Sequence, residues 1–434
     1  MQYFEEKSPF YPDIVQIEIT TNCNFHCKMC LRNFQKGHYQ NMPLEQFEAM
    51  AEQIFPKIKK VVLYGHGEPL MHPDFEKLVK YSRKYLPKDG KIDFTTNGSL
   101  LTPEKIDKIL LNNINKIIVS FDTSNFMKLK EIRSGIQEDQ ITSNFQYLSK
   151  QRKEGKIAEL AIETVIMRSN LHDLPYLIEY CSEFNVDSIY VSHVLPYDES
   201  MLLETLYFTV SKESWEISQE IVGKGWEIFQ KTMFDPVGAE VSTDALIKAT
   251  NNVEDIWKRI REHGIETNPP LIFDASKKFD LAIETERVFN KTRGLAKKNK
   301  VYLELPEIFP MLSKRVCPYV SRNAIIVRVN GDVATCYNFL HNHKVFINNH
   351  ERYVKELSFG NLHTESLDEI VQGKDYYNFR KILLNISKNI PWSGDCLYST
   401  TNCFFVSNND SDCYGNSPGC NECLYSVGLV NCIF

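Results

Sequence analysis

Thr20-Thr21-Asn22-Cys23-Asn24-Phe25-His26-Cys27-Lys28-Met29-Cys30 stands directly behind an apolar run at 14–19, and the nature of this stretch decides how the rest of the chain is read. Twelve cysteines are many for 434 residues, and their placement is uneven: three at 23, 27 and 30, one at 181, and eight between 317 and 432. The start Met1-Gln2-Tyr3-Phe4-Glu5-Glu6-Lys7 lacks the basic and apolar segments of an export signal, so the expected location is the cytoplasm. Clustered thiols in a reducing compartment are metal ligands or redox groups, not disulfides. Three thiolates at C-x3-C-x2-C, on a loop leaving a strand, suit three corners of a [4Fe–4S] cubane. Such a cluster takes four thiolates when fully ligated, so one iron is left open. Zinc is the competing ion, but structural zinc takes two C-x2-C-like pairs and no second pair lies nearby in sequence.

Working outward, apolar runs at 14–19, 61–65, 92–96, 117–121, 160–166 and 188–194 alternate with amphipathic stretches at 43–55, 74–85, 103–111, 143–152 and 174–183. The runs are rich in Ile, Val, Tyr and Phe and nearly continuous, as strands buried on both faces are. Thr102 before Pro103 and Glu104 is a helix start signal. Six β/α repeats predict an α/β fold, a parallel sheet curved into a partial (β/α)6 TIM-like barrel with chemistry on the loops after the strands.

Further motifs fall at successive strand ends, Tyr64-Gly65-His66-Gly67-Glu68-Pro69-Leu70, Thr95-Thr96-Asn97-Gly98 and Ser120-Phe121-Asp122, and Arg133-Ser134-Gly135 follows in the next loop. Together with Cys23, Cys27 and Cys30, this ordered set resembles the radical S-adenosylmethionine superfamily. The resemblance implies that the open iron chelates the amino and carboxylate groups of S-adenosylmethionine. Gly65 and Gly67 would allow close backbone approach, and Glu68 would accept from the ammonium. Ser120 and Arg133 would bind the carboxylate, with Asn97 or Asp122 near the ribose. The family often has an aromatic residue where Met29 stands, so ring stacking on adenine is not available from that position. The implied reaction is one-electron cleavage of S-adenosylmethionine to methionine and a 5′-deoxyadenosyl radical that abstracts a substrate hydrogen. His66 and His193 are read as satisfied structural histidines, and no catalytic base is assigned.

From 201 to 300 the pattern changes to long charged helical stretches (212–230, 243–263, 279–298) bearing Trp215, Trp226 and Trp257, broken by Asn268-Pro269-Pro270. This is a helical insertion or linker, either a spacer or a substrate-docking element. In 301–434, Asn330-Gly331 between apolar runs at 324–329 and 333–337 predicts a hairpin. The last forty or so residues are too poor in apolar periodicity to fold by burial alone, so metal cross-links are expected to supply the constraint.

Cys317, Gly331 and Cys336, then Gly360-Asn361-Leu362 and Ser366-Leu367-Asp368-Glu369-Ile370, then Cys396, Cys403, Cys413, Cys420, Cys423 and Cys432 resemble the SPASM extension of this superfamily. Its back half is stretched relative to the family's compact C-x2-C-x5-C-x3-C run. The resemblance implies two auxiliary [4Fe–4S] clusters, for which eight cysteines suffice; a pair of zinc sites is the alternative. Cys181 is left over as a small buried apolar residue. The expected division is 1–200 radical barrel, 201–300 insertion and 301–434 SPASM domain.

Within the superfamily, Val191-Ser192-His193-Val194-Leu195-Pro196-Tyr197, Glu204-Thr205-Leu206-Tyr207 and Cys336-Tyr337-Asn338-Phe339-Leu340-His341 resemble maturases associated with tungsten-cofactor oxidoreductases. A peptide or protein substrate is expected, with a ferredoxin or flavodoxin as electron donor. With thirteen residues before the first expected strand, no leader-binding domain is expected. A net charge of −6 gives no reason to expect nucleic acid, and no apolar run reaches the ~18–20 residues of a membrane span. Two alternatives stand beside this: the same chemistry on a sugar or cofactor precursor, and a non-catalytic iron–sulfur or zinc binding protein. The intact cysteine triplet with Glu68 weighs against the last.

Overall fold

The computed structural model describes residues 11–34, 40–216, 242–262, 268–400 and 402–432. The helix expected at 212–230 is described only to 216, and Trp226 and the side chain of Trp257 lie outside the described residues.

The six expected strands form in sequence order, shorter than their apolar runs: β1 (Ile14–Ile17), β2 (Lys60–Leu63), β3 (Lys91–Thr96), β4 (Lys116–Ser120), β5 (Glu159–Ile166) and β6 (Ser188–His193). Three more strands join the same sheet: β7 (Tyr302–Glu304), β8 (Ala324–Val327) and β9 (Val333–Ala334). The order is β9-β8-β1-β2-β3-β4-β5-β6-β7, parallel throughout except for β9 against β8. Val15, Ile17, Val61, Leu63, Phe94, Ile162 and Ile189 are fully buried, as befits a parallel sheet with helices over it.

Helices α1 (Leu44–Ile54), α2 (Phe75–Tyr85), α3 (Pro103–Leu110), α4 (Phe126–Ile132), α5 (Glu138–Lys153) and α6 (Leu174–Glu183) fill the connections. Thr102 caps α3 by accepting from the Lys105 N–H. Helix α5 begins five residues before the expected 143, with Glu138 and Asp139 placed where the helix dipole favours acids. Helix α4 was not anticipated; Asn125 starts it by accepting from the Met127 and Lys128 N–H groups.

Two features of the later chain go beyond what local sequence pattern showed. The 201–300 stretch does hold helices α7 (Thr243–Glu262), α8 (Pro269–Lys277) and α9 (Phe279–Asn299). Yet α9 packs against α6 and delivers the chain to β7 beside β6, so it acts as one more crossover helix of the barrel. The hairpin at Asn330-Gly331 exists, with Gly331 at φ +87°, but it is not free-standing. Its first arm, β8, is an unbroken apolar run that pairs in parallel with β1, because four fully buried side chains need cover on both faces. The Phe359–Gly360 backbone then continues the pairing on Val333. None of the helices among the described residues is long and apolar enough to cross a membrane.

Candidate cofactor and metal site

The loops after the strands enclose a cavity of about 210 Å3, into which Cys23, Cys27 and Cys30 all project. The cysteine loop is pinned from several sides. Met42 N–H donates to the Ile19 carbonyl, Thr20 pairs with Asn41, and the short strand His26–Cys27 pairs with Arg133–Ser134. Cys30 N–H closes the turn onto the Cys27 carbonyl at 2.9 Å. Burial pushes all three thiols up, Cys27 to about 12 against the pull of Arg133. A cation binding there must displace the protons that burial favours on these thiols. Three soft donors converging on one cavity, with its remaining wall free of thiols apart from Cys432, fit a [4Fe–4S] cluster ligated at three corners.

The strand-end motifs meet around this loop. Gly65 and Gly67 are held by contact with the chain itself: a Cβ at Gly67 would lie 2.3 Å from the Thr20 carbonyl oxygen, and one at Gly65 would lie 2.4 Å from Glu18 Cγ. Glu68 N–H donates to the Asn22 carbonyl at 2.7 Å, locking the two loops together. The Glu68 carboxylate is buried and already accepts from Thr96 Oγ1 (2.7 Å) and from the Asn97 (2.6 Å) and Leu70 (3.1 Å) N–H groups. Its pKa is raised by burial despite these bonds. Asn97 Nδ2 donates to Asn24 Oδ1 at 2.8 Å and lies 3.9 Å from Cys23 Sγ, so this side chain braces the cysteine loop. Ser120 lines the cavity.

Asp122 and Arg133 are brought together as a buried two-point pair, with Nε to Oδ2 at 2.6 Å and Nη2 to Oδ1 at 3.0 Å. The remaining Nη1 lies 3.9 Å from Cys27 Sγ, and Arg133 lines the cavity. Asp122, 0% exposed, does not line it. Its carboxylate is engaged by Arg133 and also accepts from the Val165 N–H.

Several wall residues escaped the sequence reading. Glu163 faces the cavity from the middle of β5. Its Oε2 has no partner among the described residues, and burial lifts its pKa from 4.5 to about 7, with Arg133 opposing. A lone acid within an apolar strand run was the available signal. Tyr64, Tyr197, Tyr319, Tyr337 and Tyr425 also line the cavity, Tyr64 and Tyr337 stacked with centroids 5.7 Å apart. Burial holds these phenols neutral. Three of them lie within two residues of Cys317, Cys336 or Cys423, a pattern visible in the sequence but not used. His193 is tied to the Glu307 carbonyl at 3.1 Å, whereas His66 is not satisfied: neither ring nitrogen has a hydrogen-bond partner among the described residues.

The eight later cysteines fall into two unequal groups. Cys317, Cys336, Cys420, Cys423 and Cys432 line one apolar cavity with Phe339 and Phe379, and Cys432 also reaches the larger cavity. Cys413 is close enough to Cys396 and Cys403 for their charges to raise its pKa, beneath the larger effect of burial. Cys420 belongs to the first group: burial and then the nearby charges of Cys423, Cys336 and Cys317 push its thiol up. Cys181 is fully buried on α6.

Comparison with known proteins accords with this geometry. Residues 17–192 match the model of the Radical SAM superfamily, and 317–403 match that of SPASM, an iron–sulfur cluster-binding domain. The tungsten-containing aldehyde ferredoxin oxidoreductase cofactor-modifying protein of Pyrococcus furiosus is 25% identical over 422 residues, 96% of each chain. A probable GTP 3′,8-cyclase of Methanocaldococcus jannaschii is 28% identical over 48% of this chain and 66% of its own. Among solved structures, anSMEcpe with bound AdoMet superposes with TM-score 0.51 at 15% identity, covering 94% of this chain and 93% of that one. Streptococcus suis SuiB bound to S-adenosylmethionine gives TM-score 0.51 at 14% identity over 86% and 68%.

Proposed function

This chain is a radical S-adenosylmethionine enzyme with a SPASM region, and on that premise we propose that it abstracts hydrogen from a substrate held in the cavity beside Cys23, Cys27 and Cys30. The observation that carries this is the convergence of the three thiols with Ser120, Arg133 and Glu163 on one cavity. When bound there, the cluster and S-adenosylmethionine supply one-electron cleavage of the sulfonium and hydrogen-atom abstraction. The protein's own part is positioning. Cys23, Cys27 and Cys30 hold the cluster. Asp122 aims Arg133, which with Ser120 offers a carboxylate site. Gly65, Gly67 and Glu68 fix the loop that borders the amino group, and Asn97 braces it against the cysteine loop.

For the auxiliary thiols we propose two [4Fe–4S] clusters, the first held within the group Cys317, Cys336, Cys420, Cys423 and Cys432 and the second built on Cys396, Cys403 and Cys413. The first borders the substrate cavity through Cys432, a suitable place to accept an electron from substrate. A ferredoxin or flavodoxin would supply the reducing electron.

As substrate we propose a cofactor or cofactor precursor. The cavity is small and partly walled by the chain's later residues, including Tyr425 and Asn431, and the relative of matching length is named for modifying a cofactor. A peptide or protein is the second class, favoured by Leu397, Tyr398, Phe404 and Tyr414, which are exposed around Cys396, Cys403 and Cys413.

The test is an iron count coupled to product analysis. Anaerobic reconstitution should give about twelve irons per chain from three cubanes, and a strong reductant should yield methionine and 5′-deoxyadenosine. Zinc in place of iron, or no cleavage, would overturn the radical assignment. Deuterium transfer from labelled candidates into 5′-deoxyadenosine separates the two substrate classes.

A further inference from the structure

Glu18, His66 and His341 come from three distant parts of the chain: the residue just after β1, the loop after β2, and the turn that follows Cys336. One ligating atom of each lies within 4.8 Å of the other two. His341 Nε2 is 2.9 Å from both Glu18 carboxylate oxygens, and the His66 and His341 ring centroids are 4.7 Å apart. Glu18 is 0% exposed and His66 9% exposed, with both His66 ring nitrogens buried and without a partner among the described residues. Native interiors seldom leave such groups unpaired, and those that remain point to a missing ion or water.

We propose that Glu18, His66 and His341 bind one divalent transition-metal ion of the zinc or iron(II) class, separate from the cysteine sites. Two imidazoles and one carboxylate form a borderline donor set that suits these ions, whereas calcium and magnesium favour all-oxygen sites. The local backbone is arranged for it. Glu18 Oε1 accepts from the His66 N–H at 3.1 Å, so the carboxylate fixes the residue whose ring must reach the ion. Gly65 leaves room for that carboxylate, since any Cβ there would meet Glu18 Cγ. His341 Nε2 rests on Glu18, and His66 has no hydrogen-bond partner among the described residues; a bound ion would engage all three side chains. The partly exposed His341 side chain, at 22%, opens a route for a water as fourth ligand.

The ion would act as a clasp. It would tie β1 and the Gly65–Glu68 loop to a segment 323 positions later in sequence. The His66 ring lines the substrate cavity, so the clasp would set the position of that wall.

The decisive experiment uses the full chain with its clusters reconstituted and zinc removed. Zinc is added, excess is removed by gel filtration, and bound metal is counted alongside iron. One zinc per chain is expected, and its X-ray absorption should show nitrogen or oxygen neighbours at about 2.0–2.1 Å with imidazole scattering and no sulfur at about 2.3 Å. Loss of outer-shell partners alone weakens metal sites by about 10–100-fold, so His341→Gln should weaken zinc binding by at least about 100-fold with iron content unchanged. Glu18→Gln should do the same; if it fails to fold, His341→Gln and His66→Gln decide. No zinc on the saturated protein, a sulfur shell, or unaltered affinity in His341→Gln overturns the site. Iron content and S-adenosylmethionine cleavage read on the same sample keep this outcome apart from the fate of the radical assignment.

Discussion

Cys23, Cys27 and Cys30 stand on a single loop whose base is an aliphatic sheet, whereas the cysteines from 317 to 432 hang on irregular chain held by buried guanidinium groups. Around the first loop lie Ile17, Ile19, Phe25, Val61 and Leu63, all essentially without exposure. In the later region Arg315 donates to the carbonyls of Ile390, Pro391 and Cys420. Arg352 meets Glu422 at 2.9 Å, and Arg380, fully buried, donates to the Ala324 carbonyl at 2.8 Å. Arg328 similarly gathers the carbonyls of Phe339, Leu340 and Leu357. A guanidinium with five donors can satisfy several carbonyls of a loop at once, which no aliphatic side chain does. Where apolar periodicity is missing, polar cross-links take over its role.

The largest expected effect tests whether the first loop is independent of the fold beneath it. Replacing Cys23, Cys27 and Cys30 together by Ala should remove about four irons and all S-adenosylmethionine cleavage, yet leave cooperative thermal unfolding intact, because the aliphatic core does not depend on the metal. A triple variant that unfolds would erase the contrast between the regions; one that still cleaves would refute the site.

Next in size, Glu422→Ala strands Arg352 as a buried cation and takes a partner from His350. Breaking such a pair costs about 3–5 kcal/mol. The loss should appear as selective depletion of auxiliary iron, with the three-cysteine site still loading. Uniform loss of iron from all sites would show that the two regions fold as one unit.

Gly67→Ala pushes a methyl onto the Thr20 carbonyl, 2.3 Å away, where only backbone can yield. Overpacking of this kind costs about 1–3 kcal/mol. Thermal denaturation should show the drop, and cluster loading at Cys23, Cys27 and Cys30 should weaken with it.

Smallest is a pH effect at Glu163. Its folded pKa of about 7 lies above its ordinary 4.5, so the native state binds the proton more tightly and loses stability as pH rises through that window. Glu163→Gln removes the loss. The apo variant should match the parent near pH 4 and melt roughly 2–4 °C higher at pH 8. Equal melting temperatures at pH 8 would mean that the carboxylate is solvated.

The six core strands were legible because each is a run of β-branched and aromatic residues, most of them bounded by a motif at the C-terminal end. Strand β7 was not: Tyr302-Leu303-Glu304 carries no periodicity and becomes a strand only because α9 lays it beside β6. The hairpin at Asn330-Gly331 was visible, but not that its first arm joins β1, since pairing across three hundred residues leaves no local trace. At the candidate site, the cysteine triplet and its neighbouring motifs could be read, being contiguous. The pairing of Asp122 with Arg133, the orphaned Glu163 and the unsatisfied His66 could not.

Spacing and residue type by themselves determined the family resemblance, the β/α repeat and the thiols as a set, because each is carried by short contiguous stretches whose residue types show locally. Only the tertiary structure decided the five-and-three division of the later cysteines, the partners of Asp122 and the meeting of Glu18 with His66 and His341. Those contacts join residues far apart in the chain, and which of them meet depends on the twist and order of the sheet that carries them.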